Sequence, residues 1–471
     1  MISTMRALFT FEISPEKHDR LKLLFLSIIF FVAIAGYTVI RALKDSLFVS
    51  IVGREYWGWA KMWSILILIP AILLYSKVVD LLRRYEVAMV YGVIYGIGGL
   101  TIAYFIADPV IGLPNTVASG DRAFGWIIYF FLEGLNPFLI SVLWSFSHSI
   151  TRPEEARTNY PLMVAASKIG GIVATAGACW LLAWQSDSGQ LVYSDVTNHQ
   201  ILITISSFFL LMIPLLLHWF IKTVPGRFLH GYEAAYKVEK QRSEHETTGI
   251  KASLKSAFSG LWLLIRYPYT LGIFGVIFFW EIVSVFLNYE RIGVAQKAAA
   301  HNMSMQSCIM LNQEFWAHVV GLGITLIGTR TLLNLLGERK SLILVPLIVG
   351  ALIVLHLSVE SVSILTFVFV LTRALNYAFA QPLRESLYIP TTKEIKFKTK
   401  SWIDAFGVKV AKGVGGGYAT VMAQLVGVSE SLAFIGGMSF FLLIIGCWLV
   451  TAHLLGRRFE RAVKHNEVIG A

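Results

Sequence analysis

The chain has 471 residues, of which 56% are hydrophobic and only 15% charged. Its mean hydropathy of +0.66 is far above that of a water-soluble chain, so we expect an integral membrane protein. The net charge is +11, but no soluble basic domain remains once the apolar runs are set aside, which excludes nucleic-acid recognition as the function.

Twelve apolar segments follow one another along the chain, counted at about 20 to 25 residues per membrane span. They are continuous rather than alternating, so each is predicted to be a helix that satisfies its own backbone hydrogen bonds in lipid. The predicted spans are 22–50, 57–82, 86–107, 124–150, 160–184, 199–221, 269–290, 303–336, 341–358, 362–388, 401–427 and 431–455. The first lacks the cleavage site of a signal peptide, so we expect it to remain as an anchor.

Lysine and arginine are concentrated at both ends of the chain and in every second loop. The loops near 108–123, 185–198, 356–361 and 428–430 hold only Arg122 between them. The positive-inside rule therefore predicts that both termini are cytoplasmic. We expect an integral protein of the bacterial inner membrane.

A single long polar stretch divides the chain into two halves of similar length. The predicted parts are an N-terminal six-helix half (1–221), a cytoplasmic linker (222–266) and a C-terminal six-helix half (267–471). This all-α, six-plus-six plan resembles that of the major-facilitator transporters, in which substrate binds near the membrane midplane between the halves. An unrelated twelve-helix bundle is the alternative.

The three cysteines give no sign of a metal or disulfide framework. Cys179, Cys308 and Cys447 all lie within apolar runs, and none belongs to a CxxC pair. We therefore expect them to be small core residues, and we expect neither a metal nor another cofactor.

Ionisable side chains are costly in lipid, so each one within a span is a candidate functional residue. The candidates are Arg41, Lys44, Asp45, Glu133, Lys168, Glu281, Glu314, Arg373, Asp404, Lys409 and Lys412. The alternative for each is a structural ion pair, or a position that faces water without touching substrate.

Spacing separates these candidates. Arg41 and Asp45 lie four residues apart and can pair on one helix face, which leaves Lys44 without an obvious local partner. Lys409 and Lys412 lie three residues apart, and two close cations in a membrane favour a bound anion.

Glycines follow this lysine pair at Gly413 and at Gly415, Gly416 and Gly417. They permit close approach of either a neighbouring helix or a ligand, and we favour helix packing. The order of residues is not that of a phosphate-binding Walker loop.

Basic residues in both halves suit a polyanion such as a nucleotide, whose phosphates need several converging charges. Glu133 and Glu281 are placed to pair with the lysines when the site is empty, or to carry a coupled proton. Five aromatic residues are candidates for stacking on a base, although packing explains them better: Phe279, Trp280, Tyr289, Trp316 and Tyr377.

Five patches in a fixed order carry a family resemblance. They are Arg41-Ala-Leu-Lys44-Asp45-Ser-Leu-Phe-Val, Glu133 with Ser141-Val-Leu-Trp144, Glu155-Ala156, Tyr160-Pro-Leu162, and Tyr388-Ile-Pro390 through Asp404 to Lys412-Gly413. Together they resemble the non-mitochondrial ATP/ADP translocases, the nucleotide transporters of plastids and obligate intracellular bacteria.

The resemblance implies nucleotide exchange by alternating access, with two lysines and two glutamates as key charges. These correspond to Lys44, Glu133, Glu281 and Lys412, of which Glu281 is assigned only by its place in the seventh span. We add Arg41, Lys168, Arg373 and Lys409 as candidate substrate-binding residues. The family fold also implies that Lys44 and Lys412 converge on one cavity.

Three positions depart from the family pattern. Val285 stands where the family has a lysine, Gln381 begins a segment that differs from the family's D-P-C-K-E, and Lys168 replaces a small polar residue. These departures leave the identity of the substrate open: it is either a nucleotide or a different anion.

We therefore predict a monomeric ATP/ADP-type antiporter in a lipid bilayer. The alternative is a proton-coupled transporter of another anionic or phosphorylated metabolite on the same fold, with Glu133 or Glu281 as the protonation site. An enzyme is disfavoured because the eleven histidines show no HExxH spacing and no soluble catalytic domain is present.

Overall fold

The computed structural model describes residues 17–151, 153–184, 192–224, 261–300, 302–327, 329–359, 361–388, 390–392, 395, 399–465 and 467–470. These residues are helical apart from short connections and one isolated bridge between Thr391 and Ile469. The all-helical prediction is confirmed. Most of the predicted linker lies outside the described residues.

Helical structure coincides with each of the twelve predicted spans. The first six spans are α1 (Lys17–Ile51), α2 (Trp57–Leu81), α3 (Arg84–Phe105), α4 with α5 (Ala123–Glu133, Ser141–Ile150), α6 (Pro153–Ala183) and α7 (Asp195–Thr223). The second six are α8 (Pro268–Ala298), α9 (Met303–Ile327), α10 (Thr329–Ser358), α11 with α12 (Val362–Leu375, Gln381–Ser386), α13 with α14 (Lys400–Trp402, Val408–Val428) and α15 (Glu430–Lys464). Eight helices in the described part of the chain have the length and hydropathy of membrane spans.

Within the described ranges, three spans are interrupted by a π-helical turn, a feature found often at functional sites. The turns are Asn136–Ile140, Asn376–Ala380 and Ile403–Gly407. Pro137 helps to explain the first, because its nitrogen has no proton to donate to the regular helical ladder. The first two turns both begin at an asparagine that lies three residues after a charged side chain, Glu133 in one case and Arg373 in the other.

The chain divides into two compact units. The first contains Met1–Tyr56, Leu66–Glu244 and Ile292–Leu326, and the second contains Trp57–Ile65, His245–Arg291 and Ile327–Ala471. The division into two six-helix halves with a linker stays a prediction.

In the first unit, α1 packs along α6 and α7, and α3 packs along α7. Glycine allows the close approach of α6 to α1, since a Cβ atom at Gly170 would lie 2.3 Å from the carbonyl oxygen of Phe31. Small residues at helix interfaces of this kind are typical of membrane bundles.

Polar side chains of α7 form hydrogen bonds with the beginning of α9 in the first unit. The Asp195 carboxylate accepts hydrogen bonds from the backbone nitrogens of Met303 and Ser304, at 3.3 and 3.1 Å. The buried His199 ring lies 2.9 Å from the Ser307 hydroxyl. Asp195 therefore caps the first turn of α9, whose backbone N–H groups would otherwise have no partner.

A disulfide joins Cys179 of α6 to Cys308 of α9. The expectation that all three cysteines are core thiols is therefore wrong, because two of them meet across 129 residues of sequence and Cys447 is exposed. Spacing along the chain carried no information on a pairing between different helices.

In the second unit, α10 packs along α15, and α8 contributes to a shared apolar core that includes Ile273, Val283, Val349 and Trp448. Gly337 has a φ of 72° and marks a kink early in α10. Such a positive φ favours glycine over residues with a side chain.

Candidate functional site

Lys44 forms the centre of the candidate site in the first unit. Its Nζ lies 2.5 Å from Glu133 Oε2 and 3.7 Å from Asp45 Oδ1, and its side chain is only 5% exposed. The ring centre of Tyr129 is 4.5 Å from the same nitrogen. A lysine so far removed from water needs such partners, because an uncompensated buried charge is strongly destabilising.

The spacing argument for Lys44 was wrong. It left this lysine without a local partner, whereas the structure holds it between two carboxylates. The main partner, Glu133, is 89 residues away and reaches Lys44 only because α4 packs against α1. The predicted pairing of Glu133 with a lysine is thus present.

Arg41 lies one turn before Lys44 on α1. Its guanidinium is 3.9 Å from the Glu314 carboxylate of α9, and the two side chains are 26% and 5% exposed. The Tyr37 ring lies 6.0 Å from the guanidinium carbon. Two predicted candidates from different spans, Arg41 and Glu314, are therefore brought together.

Lys168 is half-buried on α6 and lies against the backbone of α9. Its Nζ is 3.7 Å from the position that a Cβ atom would take at Gly321. Lys168 thus belongs to the same unit as Lys44 and Arg41.

In the second unit, Lys412 of α14 pairs with Glu281 of α8. The Nζ to Oε2 distance is 3.8 Å, and the side chains are 30% and 17% exposed. Lys409 is half-buried one turn earlier on α14. This pair is more open to solvent than the pair of Lys44 with Glu133.

Arg384 adds a further cation beside this pair. It interacts electrostatically with Glu281, and its Nη2 donates a hydrogen bond to Asn376 Oδ1 at 3.0 Å. Because Asn376 begins a π-helical turn, the turn itself positions the guanidinium. Arg384 lies in the segment Gln381-Pro-Leu-Arg384-Glu385, which differs from the family's D-P-C-K-E, and it was not among the candidate residues.

Arg373 lies on α11 with its guanidinium carbon 4.8 Å from the ring centre of Phe369, and Arg291 of α8 lies 4.3 Å from the same ring. Arg291 was missed because the predicted seventh span ended at residue 290, whereas α8 continues to Ala298. A predicted span extended from Tyr289 to Ala298 would have included Arg291.

The glycines of α14 serve helix packing, as predicted. A Cβ atom at Gly416 would lie 2.7 Å from the carbonyl oxygen of Gly58 on α2, and one at Gly415 would lie 2.8 Å from Val285. Val285 is buried, so the position of the family's lysine is filled by an apolar contact between α8 and α14.

The aromatic candidates divide by exposure. Trp280 and Tyr289 are buried among other side chains, whereas Trp316 and Tyr377 are exposed. Burial favours a packing role for the first two. Over the described residues, no group of three His, Cys, Asp or Glu side chains is arranged to hold a metal ion.

A family model described as TLC ATP/ADP transporter matches residues 3–289 and 292–459 of this chain. The chain is 22% identical to ADP,ATP carrier protein 5 of Rickettsia bellii (strain RML369-C), covering 85% of this chain and 86% of that protein. It is also 22% identical to ADP,ATP carrier protein 1 of Chlamydia pneumoniae, covering 96% and 94%.

Among solved structures, the chain is similar to a D-xylose-proton symporter, with a TM-score of 0.62 and 15% sequence identity. The similarity covers 93% of this chain and 97% of the symporter. The fold is thus of the major-facilitator type, as the sequence predicted, and the low identity extends the likeness to the fold alone.

Proposed function

The chain belongs to the TLC ATP/ADP transporter family, and from this premise we propose that it exchanges ATP-type and ADP-type nucleotides across a membrane by alternating access. The observation that carries the proposal is a lysine held by a glutamate in each compact unit, Lys44 with Glu133 and Lys412 with Glu281. Both lysines are the ones that the family resemblance assigned to substrate.

The chemistry of these pairs suits a polyanionic substrate. Phosphate oxygens can replace the glutamate oxygens as partners of the lysine, so the ammonium is never left without a counter-charge. Each glutamate in turn prevents an isolated cation in the membrane when no nucleotide is bound.

The pairs differ in how readily a substrate reaches them. Lys412 is 30% exposed and lies 3.8 Å from its glutamate, whereas Lys44 is 5% exposed. We propose that Lys412 receives a phosphate directly, and that Lys44 exchanges partners only after Glu133 moves away.

Exchange of ATP for ADP would move charge across the membrane. The two nucleotides carry about four and about three negative charges, so each turnover moves one net charge, worth about 2.3 kcal/mol per 100 mV. The exchange rate is therefore expected to respond to membrane potential.

The location and arrangement are part of the same proposal. We infer the bacterial inner membrane, cytoplasmic termini, a monomer, and two six-helix halves joined by residues 222–266. The distribution of lysine and arginine along the sequence supports this orientation.

Uptake of radiolabelled ATP into liposomes that contain the purified protein tests the proposal. We expect uptake only when ADP or ATP is present inside, and we expect Lys412→Ala and Lys44→Ala to abolish it. Lys297→Ala is the matched control, since Lys297 is an exposed lysine at the end of α8. No uptake under any internal nucleotide, together with no competition by unlabelled nucleotides, would refute the proposal.

A second candidate is proton-coupled transport of another anionic or phosphorylated metabolite. The replacement of a family lysine by the buried Val285 favours a changed anion site. This candidate predicts uptake into empty liposomes that follows an imposed pH gradient.

A further inference from the structure

Helices α6 and α9 interlock through two basic side chains and two glycines. The ring of His318 on α9 lies over Gly171 of α6, where a Cβ atom would be 2.5 Å from Nε2. Lys168, three residues before Gly171, lies in the same way over Gly321, three residues after His318. Each helix thus presents a basic side chain to a glycine of the other, in antiparallel register.

The imidazole of His318 has one satisfied and one unsatisfied nitrogen. Its Nε2 lies 3.3 Å from the Thr38 hydroxyl of α1, while its Nδ1 is buried with no hydrogen-bond partner among the described residues. If the Thr38 hydroxyl donates to Nε2, the neutral ring carries its proton on Nδ1. A buried donor without an acceptor costs about 1–3 kcal/mol, so an incoming oxygen atom would relieve that cost.

Charged side chains of both signs act electrostatically on this ring. They are Lys168, Arg41 and Glu314, and Arg41 pairs with Glu314 at 3.9 Å. Lys168 therefore adds a positive charge to the surroundings of a ring nitrogen that has no hydrogen-bond partner among the described residues.

We infer that Lys168 and His318 form an anion subsite for a phosphate group of the substrate, distinct from the Lys44–Glu133 pair. This inference rests on the proposed function, in which the substrate is a nucleotide. Lys168 supplies a point charge and His318 Nδ1 supplies a directed hydrogen bond. Such a subsite makes the affinity of the protein for a nucleotide depend on the number of phosphate groups that the nucleotide carries.

The subsite is closed in this structure, because Nδ1 is shielded from solvent. A local movement of α6 away from α9 around His318 would uncover the ring nitrogen, while the Cys179–Cys308 disulfide keeps the two helices joined elsewhere. Gly171 leaves room for the His318 ring when the two helices are packed together, since a Cβ atom there would lie 2.5 Å from Nε2.

Two substitutions of His318 separate a ligand role from a packing role. In His318→Asn, the amide nitrogen can take the place of Nδ1, but the contact with Thr38 is lost. In His318→Gln, the terminal amide can reach Thr38, but the donor at the Nδ1 position is lost. Lys168→Met removes the charge at similar length, Lys168→Arg keeps it, and Lys297→Met is the control on an exposed lysine.

The first readout is the inhibition of labelled ATP exchange in liposomes by ATP, ADP, AMP and pyrophosphate. We expect the preference for ATP over AMP to fall roughly tenfold or more in His318→Gln and Lys168→Met, the loss of one hydrogen bond to a charged group. His318→Asn, Lys168→Arg and Lys297→Met should keep most of it. An unchanged preference in all variants, or an equal loss in His318→Asn and His318→Gln, would overturn the inference.

The second readout needs no transport. We expect pyrophosphate to raise the apparent melting temperature of the purified wild-type protein, and this shift to disappear in His318→Gln and Lys168→Met only. If the wild type fails to exchange nucleotides but shows this pattern, the proposed function fails and the subsite stands. Exchange by the wild type with no pyrophosphate shift, or an equal shift in every variant, would reject the subsite and leave the function in place.

Discussion

Lys44 and Glu133 meet deep in the first unit, with Nζ 2.5 Å from Oε2, although 89 residues separate them in sequence. The two side chains are only 5% and 11% exposed. Desolvation of two charges offsets much of their mutual attraction, so the pair contributes little net stability although removal of one partner is costly. The pair is therefore better explained by a functional need than by stability.

This relationship predicts an asymmetric pattern of stability. Glu133→Leu leaves a buried lysine with Asp45 alone and should destabilise the protein by roughly 3–5 kcal/mol. Lys44→Met combined with Glu133→Leu should recover part of that loss, because the buried cation is gone although Asp45 then loses its contact with Lys44. Thermal unfolding of the purified variants measures both effects.

The double variant is also expected to have no exchange activity, which separates transport from folding. If it unfolds at a temperature no higher than Glu133→Leu alone, the destabilisation comes from lost packing and not from an unpaired charge.

The contact between α2 and α14 predicts a difference between two glycines of the same helix. A Cβ atom at Gly416 would lie 2.7 Å from the Gly58 carbonyl oxygen and 2.8 Å from the Cβ of Lys61, whereas one at Gly427 would meet nothing within 4 Å. Gly416→Ala must push α2 and α14 apart and should cost about 1–3 kcal/mol, as overpacking does. Gly427→Ala should be neutral or slightly stabilising, because alanine favours a helix.

Melting temperatures of the two glycine variants give the comparison directly. Equal values for Gly416→Ala and Gly427→Ala would mean that the two helices do not touch at Gly58.

The helical spans could be predicted from the sequence because hydropathy reports each one separately. Each predicted span contains helical structure, but several ends are wrong: the predicted span 303–336 runs past the end of α9 at Ile327 into α10, which begins at Thr329 and not at 341. At Arg291 a polar residue follows an aromatic-rich run but the helix continues to Ala298. A helix that is buried in protein can carry a charged residue, whereas a hydropathy window that assumes contact with lipid ends the predicted span before that residue.

The partners of the charged residues could not be predicted in the same way. The i,i+4 rule describes one helix at a time, so it paired Arg41 with Asp45 and left Lys44 alone. In the structure Lys44 pairs with Glu133 and Arg41 pairs with Glu314, and both glutamates lie on other helices. These residues meet only because their helices pack against each other, and residue spacing along one helix does not reveal which helices pack together.

His318 shows a different limit. It lies within a predicted span, but a neutral imidazole was not counted with the charged candidates. A histidine one turn from Glu314 in an apolar run was the available signal, since both side chains fall on one helix face. Its relation to Lys168 still required the packing of α6 on α9.

Arg122 organises the connection between α3 and α4. Its two terminal nitrogens donate to the backbone oxygens of Asn115 and Val117 at 3.0 Å and of Ile111 at 2.9 Å. This explains why one arginine stands in loops that otherwise lack basic residues. We expect Arg122→Lys to destabilise the protein by about 1–3 kcal/mol, because an ammonium cannot reproduce the fork of the guanidinium.

The control for Arg122 is Arg339→Lys. Arg339 pairs with Glu460 on the surface, with side chains 40% and 60% exposed, and such pairs contribute little. If Arg122→Lys melts at the wild-type temperature, the loop does not depend on these hydrogen bonds. Both variants should rank the nucleotides as competitors of exchange in the same order as the wild type.

The disulfide predicts a specific pattern of thiol chemistry. Cys179 lies near the end of α6 and Cys308 near the beginning of α9, the ends that the predicted topology places outside the cytoplasm. Disulfides persist in such oxidising surroundings. In protein purified without reductant, we expect a thiol reagent to label Cys447 alone, and proteolysis to release one linked pair of peptides.

Reduction should lower the melting temperature, because the link closes a loop of more than a hundred residues and such links typically contribute about 2–4 kcal/mol. Cys308→Ser provides the matched variant: it should melt like the reduced protein and expose Cys179 to the reagent. Labelling of all three cysteines in the untreated wild type would show that no covalent bond joins α6 to α9, and that the beginning of α9 is held by packing and by its polar contacts with Asp195 and His199 of α7. The link would then have no part in the stability of this unit.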